Sequence, residues 1–464
     1  MKRISLILLA AAMILAGCNA GSGESAGESA GGSEATSVPV SEQTAQENQE
    51  PIELLIMTDA VDGEMAEFYD GINDLYQEAH PGTNVTLKHE AMPFNDLMGA
   101  PLQVRYASGS APDIQLMTVE MTLTLVEAGY LQQLDEYYTE EVREDYFDGI
   151  VESVSTFDGH PYNFMLHRGL EMLAYDADVL REEGIEPPKT PQELIEAAKA
   201  VTTPDRYGLT AFIDPTDHLI MTWMPFIWGE GGDALNDTLD AGALNSPEVI
   251  RGLKSIRELS ESGALNPLPS RPGNNGGIIG DGETVFQFLP FTQCGMLAKD
   301  YPERLESLEV TRYPTPEGKP FVTFGGGWAL GATSMSKHPE EAKEAAFWMA
   351  VEDNSTIKKM LDVSGNMPCR RSVLEDPEVS ALYDSKLYRM IMDDEEQMNG
   401  VRMAYVATSE FNKILIDLLD RTLFELETPV ETIAEEQNEK MNDYISSYDG
   451  PKDGLRRQDL SLGK

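Results

Sequence analysis

Cysteine is scarce in this sequence of 464 residues, since only Cys18, Cys294 and Cys369 are present. No two of them have the short spacing of a zinc site, so a cysteine-ligated metal centre is excluded. Spacing alone leaves two interpretations of Cys294 and Cys369, because a disulfide and two small buried thiols both suit an oxidising exterior. We favour two unpaired thiols.

Basic residues are also few. The chain has 34 Lys and Arg against 80 Asp and Glu, which gives a net charge of −46. A surface with this charge repels phosphates, so nucleic-acid binding is excluded. The simplest interpretation is a well-solvated surface, and an acidic pocket for a cationic ligand is the alternative.

Long hydrophobic runs are missing except near the start, where Ile4 to Leu15 follow the basic residues Lys2 and Arg3. This run is short for a membrane span and predicts a signal peptide. The next residues, Leu15-Ala16-Gly17-Cys18, resemble the lipobox of bacterial lipoproteins. The resemblance implies cleavage before Cys18 and acylation of that cysteine, which would anchor the protein to a membrane without spanning it. The alternative is an ordinary secretory signal with a coincidental cysteine.

Large apolar residues are nearly absent from 19–50, where Gly, Ser, Ala, Glu, Gln and Thr dominate. Such a segment cannot bury a core and predicts a flexible linker with a reach of about 30 Å. It contains two overlapping G-x-S-x-G matches, Gly23–Gly27 and Gly27–Gly31. A nucleophile elbow needs a buried strand before it and a helix after it, so both matches are accidents.

After Pro51 the hydrophobic pattern alternates between strand and helix periods, which predicts an α/β fold with a largely parallel sheet. Helix starts follow at Thr190, Ser246 and His338, the last helix running through Val351. The predicted strands are Ile52–Met57, Asn84–His89 and Pro112–Met117, and the predicted helices include Glu64–His80, Asp96–Ser108 and one or two within Lys413–Tyr444.

Several short motifs follow one another along the folded part of the chain. Ala107–Ile114 contains a G-x-x-P-D-I turn, Glu127–Leu134 a G-x-L-x-x-L step, and Asp158–Leu180 a Y-D-x-D-x-L segment. Gly231-Gly232 and Gly325-Gly326-Gly327-Trp328 come later. In this order, from about Ile52 to Tyr448, the chain resembles the extracellular solute-binding proteins of carbohydrate ABC transporters. Asp176 stands where that family usually has asparagine.

The resemblance implies a two-lobed, periplasmic-binding-protein-like α/β fold with a cleft between the lobes and crossing hinge strands. It also implies domain boundaries along the chain. These are 1–17 for the signal peptide, 18–50 for the lipidated cysteine and linker, 51–162 for the first lobe, 163–311 for the second lobe, 312–352 for the return to the first lobe, 353–448 for the second lobe with the C-terminal helices, and 449–464 for a polar tail.

A sugar site needs polar partners for hydroxyl groups and aromatic faces for the rings. The resemblance places such candidates in the cleft, although each has an alternative role in the core, in a loop or in an interlobe salt bridge. The polar candidates are Asp59, Glu120, His167, Arg168 and His218. The aromatic candidates are Trp223, Trp228, Phe291, Trp328, Tyr405 and Phe411.

These observations predict a lipid-anchored, monomeric binding protein that captures an oligosaccharide on the extracellular face of the membrane and delivers it to ABC permease subunits. No catalytic motif, cofactor or metal is expected, since the chain has no H-E-x-x-H, no P-loop and no helix-opening G-x-G-x-x-G. The alternatives are the same fold binding a polyamine, peptide or glycerol phosphoester, a surface glycosidase, and an adhesin.

Overall fold

The computed structural model describes residues 50–61, 63–97, 99–267, 276–394, 401–403 and 409–448. Its strands are β1 Ile52–Asp59, β2 Val85–Met92, β3 Ile114–Thr118, β4 Thr156–Phe157, β5 His160–Pro161, β6 Phe164–Asp176, β7 Tyr207–Thr210, β8 Thr284–Pro290, β9 Leu308–Thr311, β10 Thr323–Ala332, β11 Met367–Pro368 and β12 Val401–Met403.

Helices connect and cover these strands. The α-helices are Gly63–Asp70, Ile72–Ala79, Phe94–Leu97, Ala100–Ala107, Val119–Glu127, Glu140–Asp145, Ala177–Glu183, Pro191–Val201, Asp217–Gly229, Pro247–Glu261, Gly277–Gly280, Gln293–Asp300, Pro339–Phe347, Asn354–Ser364, Arg371–Leu374, Pro377–Leu382, Lys386–Met392, Ser409–Phe424 and Val430–Ser447. Short 3-10 turns lie at Asp135–Tyr137 and Pro302–Arg304, and wider π turns lie at Val151–Ser155 and Trp348–Glu352.

Local chemistry explains where several helices begin. The Thr190 hydroxyl accepts a hydrogen bond from the Glu193 N–H, and the Glu193 carboxylate accepts one from the Thr190 N–H, so the predicted capping box is present. Ser246 caps the helix Pro247–Glu261 in the predicted place. The helix predicted over Glu64–His80 is instead two helices, because the chain breaks at Gly71, where glycine weakens a helix.

The long path of strands runs β2-β1-β3-β10-β6-β8-β7, with β9 and β11 paired to β6 and β12 paired to β10. The pairs β1–β2, β1–β3 and β7–β8 are parallel, as predicted. However, β10 is antiparallel to both β3 and β6, and β8 is antiparallel to β6. The sheet is therefore mixed rather than largely parallel, because β6 and β10 run in opposite directions at its centre.

The strand β6 links two hydrophobic cores. Its residues Phe164 to Leu170 pair with β10, and its residues Glu171 to Asp176 pair with β8 and β9. The first core collects side chains from β1, β3 and the helices that cover them, and the second core lies beneath Asp217–Gly229 and the two C-terminal helices. The partner change at Leu170 and Glu171 marks the point where β6 passes from one half of the mixed sheet to the other.

Several parts of the chain pack across the predicted lobe boundaries, and the helix Asn354–Ser364 is an example. Ile357, Met360 and Leu361 of the helix Asn354–Ser364 belong to the first core, although 353–448 was assigned to the second lobe. The reason is that β11, which follows this helix, pairs with His167 and Arg168 in the first part of β6. Leu289, Phe291 and Leu297 likewise belong to the first core, although 163–311 was assigned to the second lobe. The lobe boundaries stay predictions.

Both cysteines of the folded part, Cys294 and Cys369, are buried and free, as favoured from the sequence. Burial raises the pKa of the Cys369 thiol to about 12. No helix in the described part of the chain is long and apolar enough to cross a membrane.

Candidate functional site

The described structure contains a cavity of ≈ 780 Å³ beside the point where β6 changes partners from β10 to β8. His167, Gly169 and Glu171 of β6 line it from one face of the strand, and Leu170, at the partner change, also reaches the lining. Gly326 and Gly327 of β10 complete this part of the wall. A Cβ atom on Gly327 would lie 2.2 Å from the His167 carbonyl oxygen, so only glycine allows the two strands to approach this closely here.

Helices and loops that pack on both cores form the remaining walls. The helix Asp217–Gly229 faces the cavity from the second core, and the helices Gln293–Asp300 and Asn354–Ser364 face it from the other side. Aromatic rings are spread around these walls, namely Phe94, Phe291, Phe324, Trp328, Tyr383 and Tyr388. A cavity of this size that combines apolar faces with a few polar groups is typical of small-molecule sites.

The charged groups of the lining are mainly acidic. Among the described residues that line the cavity, one lysine, Lys299, stands against five acidic side chains, and it contacts Glu64 at 3.4 Å. The acidic residues are Glu64, Glu171, Asp217, Asp300 and Asp362. The described residues contain no group of His, Cys, Asp and Glu that could hold a metal ion.

His167 is a neutral polar group of this wall. It is only 6% exposed, and burial lowers its pKa to about 3. Its Nε2 atom lies 3.4 Å from the Asn366 side-chain nitrogen, and its Nδ1 atom has no protein partner. A neutral imidazole with a free nitrogen can exchange a hydrogen bond with a ligand hydroxyl.

Glu171 is the most deeply buried carboxyl group of the cavity wall, with 1% of its surface exposed. Neither of its carboxyl oxygens has a hydrogen-bond partner in the protein. Burial raises its pKa to about 8, so the protonated form prevails at neutral pH. Its backbone is fixed independently, because its carbonyl oxygen accepts a hydrogen bond from the Thr323 hydroxyl at 2.8 Å.

Comparison with known families identifies the fold that holds this cavity. Residues 73–384 match the model of the bacterial extracellular solute-binding protein family. The chain belongs to this family. Its members and the relatives below are binding proteins rather than enzymes. This solute-binding protein therefore captures a ligand and does not transform it.

Curated relatives are distant. A galactooligosaccharide-binding protein of Bacillus subtilis is 25% identical over 354 residues, covering 74% of this chain and 78% of that protein. A periplasmic sn-glycerol-3-phosphate-binding protein of Agrobacterium fabrum is 24% identical, covering 60% of this chain and 64% of that protein. The names of these two relatives cover two different ligand chemistries.

Solved structures share the architecture. The GacH receptor of Streptomyces glaucescens, solved unliganded and with acarbose, superposes with a TM-score of 0.70 at 18% identity, covering 86% of this chain and all of that one. Maltose-bound MalE3 of T. maritima gives a TM-score of 0.72 at 19% identity, covering 84% of this chain and 99% of that one. The solute-binding protein therefore has the predicted two-lobed α/β fold of periplasmic binding proteins.

Four of the predicted ligand residues line the cavity: His167, His218, Phe291 and Trp328. The His218 ring stacks on Phe212 with 4.7 Å between centroids, and burial lowers its pKa. The Trp328 ring meets Phe94 edge to face at 6.1 Å. The structure therefore brings these four side chains to one cavity, while their contact with a ligand stays a prediction.

Three predicted aromatic residues lie in the second core instead of on the cavity wall. Trp223 is fully buried, and its indole N–H donates to the Phe212 carbonyl oxygen at 2.8 Å. Trp228 stacks behind Phe324, which is the ring that reaches the cavity. Phe411 is buried against Tyr444. Each of these rings points to the side of its helix that packs on the core.

Two predicted polar residues also lie off the cavity wall. Arg168 follows His167 on β6 and therefore points to the opposite face, where its guanidinium lies 3.9 Å from the centroid of the Phe147 ring. Asp59 ends β1 outside the cavity lining, and burial raises its pKa to about 6. Cys18, Tyr405 and the side chain of Glu120 lie outside the described residues, although the Glu120 backbone is part of the helix Val119–Glu127.

Several lining residues were missed from the sequence. Glu171 could have been found from its spacing, because it follows His167 by four residues on one strand and shares its face. Asn412 lines the cavity next to the predicted Phe411 and donates to the Asp217 carboxylate at 3.4 Å. Tyr383, Tyr388 and Asn366 come from short segments after the helix Asn354–Ser364, where no sequence pattern points to a ligand.

Proposed function

We propose that this solute-binding protein captures a neutral oligosaccharide outside the cell and delivers it to the permease of an ABC importer. The observation that carries the proposal is the cavity beside the partner change of β6, whose wall combines aromatic rings with neutral polar groups such as His167 and Asn366. Aromatic faces suit the C–H surfaces of sugar rings, and the polar groups suit their hydroxyls. Anionic solutes are disfavoured by the acidic side chains of the wall.

The same proposal includes the finer steps predicted from the sequence. Cys18 would carry the acyl anchor, residues 19–50 would form the tether, and the two lobes would close on the ligand as a monomer. Closure stabilises the closed form only by the difference in ligand affinity between the two forms. The permease would then distinguish the closed form from the open one.

A cationic solute is the second candidate. The specific observation in its favour is the acidic lining, in which five carboxyl groups face one lysine among the described residues. An amine could pair with Asp217, Asp362 or Glu171. This candidate keeps the binding role and changes only the ligand.

A thermal-shift screen of the full chain tests the proposal. We expect maltotriose, a galactooligosaccharide or xylotriose to raise the unfolding midpoint, since a ligand at a hundredfold excess over Kd stabilises the native state by about 2.7 kcal/mol. Spermidine and sn-glycerol 3-phosphate are the cationic and anionic comparisons. A shift with spermidine alone would replace the oligosaccharide with a cationic ligand, and a shift with the phosphoester alone would contradict both candidates.

A further inference from the structure

Glu171 occupies the point where β6 changes partners. Leu170 pairs with Gly325 of β10, whereas Glu171 pairs with Pro290 of β8. The side chain thus lies where β6 passes between the two halves of the mixed sheet, on the wall of the cavity. A group at this position is close to both halves of the fold.

The carboxyl group of Glu171 has no role in holding the fold together. Both of its oxygens are buried and lack a protein partner. Burying a polar group without a hydrogen bond destabilises the native state, and an unpaired carboxylate costs more than a neutral acid. A fully apolar side chain would therefore suit the local packing better than glutamate does, which indicates a role in binding.

We propose that Glu171 is the specificity-determining anchor of the cavity, holding two neighbouring hydroxyl groups of a neutral sugar ring through its two carboxyl oxygens. The inference rests on the proposed function and names the side chain that selects the sugar. One oxygen donates a hydrogen bond through its proton, and the other accepts one. Two adjacent hydroxyls offer the complementary acceptor and donor.

The protonation state supports this pairing. With a pKa of about 8, Glu171 is mostly a neutral acid at pH 7 and has both a donor and an acceptor. The hydroxyl of Tyr313, whose pKa is raised well above its usual value by burial and further by Glu171, stays protonated across this range. His167 has a pKa of about 3 and stays neutral.

Other titratable groups line the same cavity from the surrounding elements. Burial raises the pKa of Asp217 and lowers that of His218, both on the helix Asp217–Gly229. The remaining charged groups of the lining are Glu64, Lys299, Asp300 and Asp362. A change in affinity centred near pH 8 is therefore assigned to Glu171. If this pH dependence disappears in a Glu171 variant, the assignment is verified.

Two substitutions in the full chain separate a neutral acid from a carboxylate. Glu171→Gln keeps one acceptor and one donor in nearly the same volume, and Glu171→Met keeps the volume but neither hydrogen bond. For the neutral oligosaccharide found in the screen, we expect the glutamine variant to bind within about fivefold of the wild type and the methionine variant to bind about 10- to 100-fold more weakly. Calorimetric titration measures both constants.

The pH dependence gives an independent readout. Wild-type affinity for the neutral oligosaccharide should fall by up to about tenfold per pH unit above pH 8, since the carboxylate has lost its donor proton. The glutamine variant should show no such fall. The affinity of the wild type for spermidine would have the opposite pH dependence and would rise towards pH 8. Both variants would lose affinity for spermidine to the same extent.

The outcomes are distinct. Wild-type affinity of the Glu171→Met variant for the neutral oligosaccharide would overturn the inference while leaving the proposed function intact. Equal losses in both variants, with the cationic pH profile, would also overturn it and favour the amine. If the wild type binds none of the neutral oligosaccharides, the proposed function is rejected, and the inference is rejected with it. Thermal unfolding controls for folding, because the methionine variant should be at least as stable as the wild type without ligand.

Discussion

Replacing Trp328 with alanine is expected to weaken binding of the neutral oligosaccharide by about 10- to 100-fold, the usual effect of removing a tryptophan from the centre of a binding site. Trp328 lies on β10 directly before a register shift between residues 328 and 329. Such a bulge re-aims the side chain beside it. The ring consequently lines the cavity while its backbone still pairs with Thr118 and His167.

Fluorescence makes this prediction specific to one ring. The chain has four tryptophans, and Trp223, Trp228 and Trp348 are buried in the cores. Trp328 is the partly exposed one that lines the cavity. A change in tryptophan emission on titration with the oligosaccharide should therefore disappear in Trp328→Phe, while this variant, which keeps an aromatic face, binds within about tenfold of the wild type.

Phe424→Ala is the matched control, since it removes an aromatic ring that is 50% exposed and lies outside the cavity lining. Its affinity should equal that of the wild type. If Trp328→Ala binds the oligosaccharide as tightly as the wild type, the ring only packs against Phe94 and is not a ligand residue. Unfolding of each variant without ligand shows whether a loss of affinity reflects a loss of structure.

The fold was largely predictable because its signals are local. The apolar runs at Ile52 and Ile114 form buried strands, and the capping residues Thr190 and Ser246 begin helices where they were expected. The direction of β10 was not predictable in this way, because pairing with β3 and β6 is a long-range choice. Local propensity does not encode such a choice.

The site was only partly predictable. When a helix is apolar on all sides, its sequence does not show which side faces the cavity. The helix Asp217–Gly229 buries ten of its thirteen residues, so its hydrophobic pattern does not tell whether Trp223 or Met221 faces the cavity. The structure shows that Met221 lines the cavity and that Trp223 fills the core. In β6, by contrast, strict alternation would have separated Arg168 from His167 and would have added Glu171.

Replacing Arg257 with alanine is expected to lower the free energy of unfolding by about 3–5 kcal/mol, because several hydrogen bonds from one charged donor, each contributing about 1.5–3 kcal/mol, are lost together. Arg257, on the helix Pro247–Glu261, is 7% exposed. Its guanidinium donates to five backbone carbonyl oxygens at the end of the helix Ser409–Phe424 and just beyond it. They are those of Thr422 at 2.7 Å, Leu426 at 3.0 Å, Thr428 and Glu425 at 3.1 Å, and Arg421 at 3.4 Å.

The size of the effect follows from what the substitution leaves behind. Carbonyl groups of the last helical turn have no partner within the helix, and a nearby cation also favours the negative end of the helix dipole. Alanine removes all five hydrogen bonds, and although the Arg421 and Glu425 carbonyls keep a backbone N–H donor, the buried carbonyl of Thr422 loses the donation from Arg257. The planar fork of arginine reaches several acceptors at once, so Arg257→Lys should recover only part of the loss.

Arg251→Ala is the matched control on the same helix. Arg251 bonds Glu230 and Glu248 at the surface with 46% of its side chain exposed, so its removal should destabilise the fold far less than removal of Arg257. Urea unfolding of the full chain measures both variants, with the change read from the midpoint at a constant slope. A cost for Arg257→Ala equal to that of Arg251→Ala would contradict the assignment. The large cost would instead show that this contact anchors the helix that brings Asn412 to the cavity wall.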